Sequence, residues 1–178
     1  MKTPLALIAA ATLAGCASPP MTARYQQDML PEAVKVPAGH TVAMETVGVG
    51  EITYECRAKA AMQGEHEWVF VGPKAALNDR SGKTVGSYYG PPATWQALDG
   101  SKLTGAQVAV APAGAGNIPL QLVKANPAMG SGAMSGVSYI QRVATKGGVA
   151  PAMPCNAAAL GQQKIVTYQA DYIFYKAA

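Results

Sequence analysis

Residues 166–174 read Val166-Thr167-Tyr168-Gln169-Ala170-Asp171-Tyr172-Ile173-Phe174. Apolar or aromatic residues occupy every second position, and the positions between them are mostly polar. Side chains that alternate with a period of two lie on opposite faces of a β-strand. Tyrosine, valine and phenylalanine also favour strands. This segment therefore predicts a long strand near the carboxyl end, with one face in a core.

The same alternation recurs along the chain. In residues 51–56, Ile52, Tyr54 and Cys56 share one face. Further strand-like runs, separated by glycine and proline, lie at residues 41–46, 68–71, 108–111, 120–125 and 137–144. Residues 78–82 and 99–101 have the composition of turns.

Helical signals are weak by comparison. No stretch holds a helical apolar stripe for three turns, although residues 58–64 and 157–163 could each form a short helical turn. The uncharged residues 103–123 are interrupted by glycine and proline, which favours strand, loop, strand over a membrane helix. We therefore predict an all-β, single-domain antiparallel β-sandwich or barrel with Gly/Pro-rich loops.

The amino terminus resembles that of a bacterial lipoprotein precursor. Lys2 precedes an apolar run at residues 4–13, and Leu13-Ala14-Gly15-Cys16 matches the lipobox. This predicts a signal peptide at residues 1–15, a lipidated Cys16 with a flexible tether over residues 16–30, and a β domain over residues 31–178. A plain signal peptide or a buried apolar helix is the alternative. Ala17, which is not aspartate, favours the outer membrane, with the lipid-anchored domain facing the periplasm.

The other two cysteines, Cys56 and Cys155, are expected to pair. Once Cys16 carries lipid, they are the remaining thiols, and the compartment outside the inner membrane is oxidising. A thiol nucleophile or a metal pair is the alternative, but neither cysteine has a close companion at metal-ligand spacing.

Composition and charge narrow the classes of partner. Charged residues make up 13% of the chain, and its net charge is +4, which falls to about +3 without Lys2. Lysine and arginine are not clustered, so we expect no nucleic-acid binding. The expected partner is the membrane, reached through the lipid anchor.

Candidate catalytic groups are few. His40 and His66 are the only histidines. The neighbours of His66, Glu65 and Glu67, would project to the opposite face of a strand, which argues against a shared metal. The serines of residues 130–136 lack the spacing of a nucleophile elbow. We predict no catalytic residues, no metal and no cofactor.

Ligand binding has stronger candidates. Tyr88, Tyr89 and Trp95 flank Gly90-Pro91-Pro92, and aromatics on such a loop can stack on a carbohydrate or a peptide. Core packing is the alternative. Arg142 lies within an apolar strand, where it needs either a buried acidic partner or a bound anion.

Ordered motifs give the chain a family resemblance. They are Tyr54-x-Cys56, Trp68-Val69-Phe70, Gly86 through Trp95, Asp99-Gly100-Ser101, Tyr139-x-Gln141-Arg142, Thr145-x-Gly147-Gly148-x-Ala150-Pro151, Cys155, and Tyr168-x-Ala170-x-Tyr172-x-Phe174-Tyr175. With these motifs the chain resembles the DUF3455 family of secreted bacterial and fungal proteins, from about Pro31 to its end.

The resemblance implies a shared disulfide but no activity. Many similar sequences have a histidine near the position of Tyr88 and a tryptophan where this chain has Leu120, and residues 92–93 also differ. A catalytic or metal role of that histidine would be lost here. We expect a binding or structural module of the cell envelope. The alternative is a hydrolase of an envelope or extracellular polymer, which would need convergent carboxylates, or His66 beside an acid, in a cleft.

Overall fold

The computed structural model describes residues 25–178, in which eight antiparallel strands form one closed barrel. The strands are β1 (His40–Ala58), β2 (His66–Asn78), β3 (Thr84–Tyr89), β4 (Thr94–Ala97), β5 (Lys102–Ala111), β6 (Leu120–Ala125), β7 (Val137–Gly147) and β8 (Gln163–Ala177). Short 3-10 turns lie at Glu32–Val34 and Ala157–Ala159. No helix in the described part of the chain is long and apolar enough to cross a membrane. The all-β prediction is confirmed, and the sheet is a barrel.

Each strand pairs with its neighbours in the chain, and β1 pairs with β8 to close the ring. The β1–β8 ladder runs from the His40–Ala177 pair to the Glu55–Gln163 pair. The predicted alternation of β8 is confirmed, since Tyr168, Ala170, Tyr172 and Phe174 are buried in the barrel interior. Apolar residues at every second position therefore fill the barrel, as the period of two requires.

Strand β1 is longer than its sequence suggests. Two separate runs, at residues 41–46 and 51–56, are parts of one strand of 19 residues. Gly48 and Gly50 join them. A Cβ at Gly48 would lie 2.6 Å from the Tyr172 ring, and one at Gly50 would overlap the backbone of β2. Glycine is therefore required by close packing here and does not mark a turn.

A second apolar cluster lies on the outer wall of the barrel. Val34 and Val36 of the amino-terminal segment pack there against Leu122, Val143 and Ile173. Packing on the barrel extends back beyond Pro31, because Tyr25 and Leu30 contact this cluster as well.

Polar bonds hold the amino-terminal segment in place. The fully buried Gln141 side chain donates to Gln27 Oε1 at 2.9 Å and to the Val34 carbonyl at 2.7 Å, and it accepts from the Tyr175 hydroxyl at 2.8 Å. Gln27 also pairs with the backbone of Val36. The predicted signal peptide, Cys16 and residues 17–24 lie outside the described residues.

The antiparallel order divides the loops between the two ends of the barrel. One end, which we call the loop end, carries residues 59–65, 90–93, 112–119 and 148–162. The other end carries the predicted turn at Asp99-Gly100-Ser101, which is confirmed. Asp99 Oδ2 accepts from the Ala133 amide at 2.7 Å, and the buried Met134 is held by a 3.2 Å bond from its amide to Ser101 Oγ. The β6–β7 loop, residues 126–136, is thereby held against this turn, and its Met134 side chain closes the barrel core at the end away from the cavity.

Candidate functional site

A cavity of about 370 Å³ opens in the barrel at the loop end. Strands β2 to β7 and the β3–β4 turn all contribute to its lining. Phe70 forms an aromatic wall, Tyr88 and Trp95 lie at the floor, and Gln107 and Gln121 are among the polar lining residues. Small-molecule sites occupy about 300–1,000 Å³. The cavity therefore has the size and the mixed lining of a site for a small ligand.

The floor of the cavity is a stack of aromatic rings. Tyr88 and Trp95 face each other across β3 and β4, with ring centroids 4.8 Å apart and an interplanar angle of 24°. Tyr172 of β8 packs against Tyr88 at 4.9 Å. Trp95 is 1% exposed and Tyr88 6% exposed. Their faces are mostly occupied by one another, so they offer a rigid floor and little free ring surface.

The indole nitrogen of Trp95 has no hydrogen-bond partner among the described residues, although it is buried. A buried donor without an acceptor costs about 1–3 kcal/mol, and native proteins contain few of them. Trp95 lines the cavity with other atoms of its ring, because the nitrogen itself is shielded from solvent.

Arg142 also lines the cavity. It lies on the same face of β7 as the core residue Ile140, and it is half-buried. Its Nε and Nη2 donate to the Pro119 carbonyl at 3.1 and 2.9 Å. It forms no ion pair with any carboxylate of residues 25–178. Of the two expected partners, an acidic side chain is therefore not found in this part of the chain.

The tyrosines beneath the cavity are held in their protonated form. Burial raises the pKa of Tyr168 to about 12, and a hydrogen bond to Tyr172 partly offsets this. Burial likewise raises the pKa values of Tyr88 and Tyr172, and the charge of Arg142 opposes the rise at each of them. These hydroxyls are therefore neutral hydrogen-bond donors at physiological pH and not bases.

Comparison with known proteins identifies the family. The model of a protein family of unknown function, DUF3455, matches residues 37–176. The chain belongs to the DUF3455 family. The match spans every strand from β1 to β8, so the whole barrel is the family's domain. Searches of curated proteins and of solved structures found no match.

Tyr88 and Leu120, the two positions at which the family resemblance implied a different residue, have different surroundings in this DUF3455 barrel. Tyr88 lies in the cavity floor, whereas Leu120 packs on the outer wall with the amino-terminal segment. A different residue at position 88 would change the lining of the cavity, whereas one at position 120 would change the packing of the second cluster.

Tyr89 does not line the cavity with Tyr88 and Trp95. Adjacent residues of a strand face opposite sides, and Tyr89 lies on the outer wall, where its hydroxyl donates to Gln96 Oε1 at 2.8 Å. It borders a wide groove of about 890 Å³ together with Val49 and Leu98. The structure thus brings together three of the four predicted ligand-binding residues.

The Glu65-His66-Glu67 group lies at the entrance of β2. Glu65 forms an ion pair with Lys59 at 2.7 Å across the β1–β2 loop, and this contact accounts for the Glu65 carboxylate. The described residues contain no cluster of three potential metal ligands. Ser135 Oγ accepts from the Gly132 amide at 2.9 Å, within the loop that seals the opposite end of the barrel.

The predicted Cys56–Cys155 disulfide is confirmed, with Cα atoms 5.5 Å apart. It joins the end of β1 to the 148–162 loop. Nearby, Trp68 Nε1 donates to the Met153 carbonyl at 2.8 Å, and the Cys56 backbone exchanges hydrogen bonds with Gly161 and Gln162. The disulfide therefore pins a long irregular loop to the loop end of the barrel.

Sequence reasoning missed several residues of the cavity. Gln121 donates to Gln107 Oε1 at 2.7 Å, and these side chains together with Phe70 line the cavity beside Arg142. Gln121 pairs with Arg142 in the β6–β7 register. Polar residues at inward positions of β5 and β6 were the available signal, because a closed core would use apolar residues there.

Proposed function

We propose that the protein is a ligand-binding module of the cell envelope and that the loop-end cavity is its binding site. The observation that carries the proposal is Arg142, which lines the cavity and pairs with no carboxylate of residues 25–178. A guanidinium has five N–H donors, and those that the Pro119 carbonyl leaves free favour a ligand with acceptor oxygens. The cavity thus has donors placed for a ligand.

The chemistry of the lining supports binding over hydrolysis of a polymer. No carboxylate or histidine of residues 25–178 lines the cavity. Tyr88 lines it, but its raised pKa keeps the hydroxyl protonated and makes it a poor general base. Acid–base hydrolysis needs a group that accepts a proton near neutral pH, whereas binding needs only the donors and apolar walls that are present.

The ligand we propose is a carbohydrate or a short peptide fragment. Both carry acceptor oxygens for Arg142, and both have an apolar face that suits the half-exposed ring of Phe70. The cavity volume of about 370 Å³ favours a fragment over a long polymer segment.

The binding proposal is tested with the two tryptophans of the chain, Trp68 and Trp95, each of which gives one indole N–H signal in a nitrogen–proton NMR spectrum. A Trp68→Phe variant assigns them. We expect members of a library of small sugars, peptides and organic acids to shift the Trp95 signal and leave the Trp68 signal in place. A library that leaves Trp95 unmoved at millimolar concentrations would contradict the proposal.

We also propose that lipid on Cys16 anchors the protein to the outer membrane, facing the periplasm. The lipobox and Ala17 support this. A Cys16→Ser variant is expected to stay uncleaved, to carry no acyl chains and to leave the membrane-anchored pool. Mass spectrometry of the amino-terminal peptide and detergent-phase partitioning measure this. A Cys56→Ala/Cys155→Ala variant should remain acylated, and unchanged partitioning of Cys16→Ser would contradict the anchor.

A further inference from the structure

We propose that the loop-end cavity is selective for small organic carboxylates, with Arg142 as the anion anchor. This inference rests on the proposed binding function and specifies the chemistry of its ligand. A uronic acid and a peptide with a free carboxyl terminus share that chemistry.

The charge of the cavity is the first argument. Arg142 is the only charged residue of the described chain that lines it. The guanidinium also acts on the interior, because its charge lowers the pKa of Tyr54 and Tyr168 against the effect of their burial. A positive charge that faces a partly desolvated space, without a carboxylate to neutralise it, attracts an anion and disfavours a neutral or cationic ligand.

The geometry of Arg142 is the second argument. Two of its nitrogens donate to the Pro119 carbonyl, and this fixes the guanidinium against the 112–119 loop. A guanidinium has five N–H donors, so donors remain for a ligand. A fixed planar fork suits the two oxygens of a carboxylate, which it can bind through parallel hydrogen bonds.

The other polar groups of the cavity complement an anion. Gln107 accepts from Gln121 through Oε1, and its amide nitrogen keeps its donors. The Gln107 amide nitrogen can therefore add a donor for a carboxylate beside Arg142. Phe70, which is 50% exposed, offers an apolar surface for the body of the ligand.

The test compares matched acids and neutral analogues on the full-length protein. The probes are glucuronate against glucose, and N-acetyl-alanyl-alanine against its carboxyl-terminal amide. We expect an acid to bind at least tenfold more tightly than its neutral partner and to shift the Trp95 indole signal but not that of Trp68. Binding of glucuronate would identify a uronic acid as the ligand class, and binding of N-acetyl-alanyl-alanine would identify a peptide carboxyl terminus.

Variants separate the anchor from the fold. Arg142→Gln should weaken binding of the acid at least about tenfold, because a charge-assisted hydrogen bond is lost. Arg142→Lys should recover part of the affinity, because it restores the positive charge. Arg80→Gln is the matched control, because Arg80 pairs with Glu45 and Asp171 outside the cavity. Unchanged thermal midpoints would show that each variant folds.

Two results would overturn the inference. If neutral analogues bind as tightly as the acids and Arg142→Gln has no effect, the cavity binds ligands without selecting carboxylates, and the proposed function alone survives. If none of the four probes moves the Trp95 signal, the carboxylate assignment is wrong, whatever the wider library shows.

Discussion

Reduction of the Cys56–Cys155 disulfide is expected to lower the free energy of unfolding by about 2–5 kcal/mol. The two cysteines are 99 residues apart in the chain, so the bond closes a loop that includes most of the barrel. A cross-link of this length removes many conformations from the unfolded chain and stabilises the folded one by comparison. The 148–162 loop should also lose its attachment to the end of β1 and become more accessible to proteases.

Urea unfolding with and without reductant measures the effect. The Cys56→Ala/Cys155→Ala variant is the control: it should unfold at a lower urea concentration than the oxidised protein, and reductant should not change its midpoint. Equal midpoints for the oxidised and the reduced wild-type protein would show that the disulfide adds nothing to stability.

Replacement of Ile173 by alanine is the second large effect we expect, a loss of about 2–5 kcal/mol. Ile173 is 0% exposed and lies in the outer-wall cluster beneath the amino-terminal segment. Its removal would leave a cavity between this segment and the barrel. The Ile165→Ala change on the same strand is the matched control, because Ile165 is 62% exposed. It should change stability by about 0.5 kcal/mol or less.

Chemical denaturation of both variants at equal protein concentration gives the comparison. If Ile173→Ala loses as little stability as Ile165→Ala, the amino-terminal segment does not bury the outer wall in solution. A large loss for Ile173→Ala alone would establish the segment as an integral part of the folded domain.

Much of the barrel could be predicted because its inner face obeys a simple rule. Tyr168, Tyr172 and Phe174 are inward where alternation places them. Ile173 is apolar although it lies on the outward face of this strand, where alternation predicts a polar residue. It is buried because the amino-terminal segment, which is distant in sequence, packs over it. The continuity of β1 was also hidden, because its glycines read as turn residues although crowding by β2 and Tyr172 requires them.

The candidate binding site was predictable only in part. Tyr88 and Trp95 stood out because of their loop, and Tyr89 could have been separated from them by strand alternation alone. The partner of Arg142 could not be read from sequence, because a main-chain carbonyl, that of Pro119, carries no residue-type signal. The unpaired Trp95 N–H is likewise a property of packing.

The pairing of β1 with β8 has a consequence for how the protein reaches its native state. Every other ladder joins strands that are consecutive in the chain and can form locally, whereas this one joins residues as distant as His40 and Ala177. The entropic cost of closing so long a loop is met only when the ring shuts, so ring closure is a late step. Until β8 has been synthesised and docked, β1 and β7 remain open edges, and unpaired strand edges are where aggregation starts. A partly made chain therefore depends on remaining unfolded or shielded until the final strand is available.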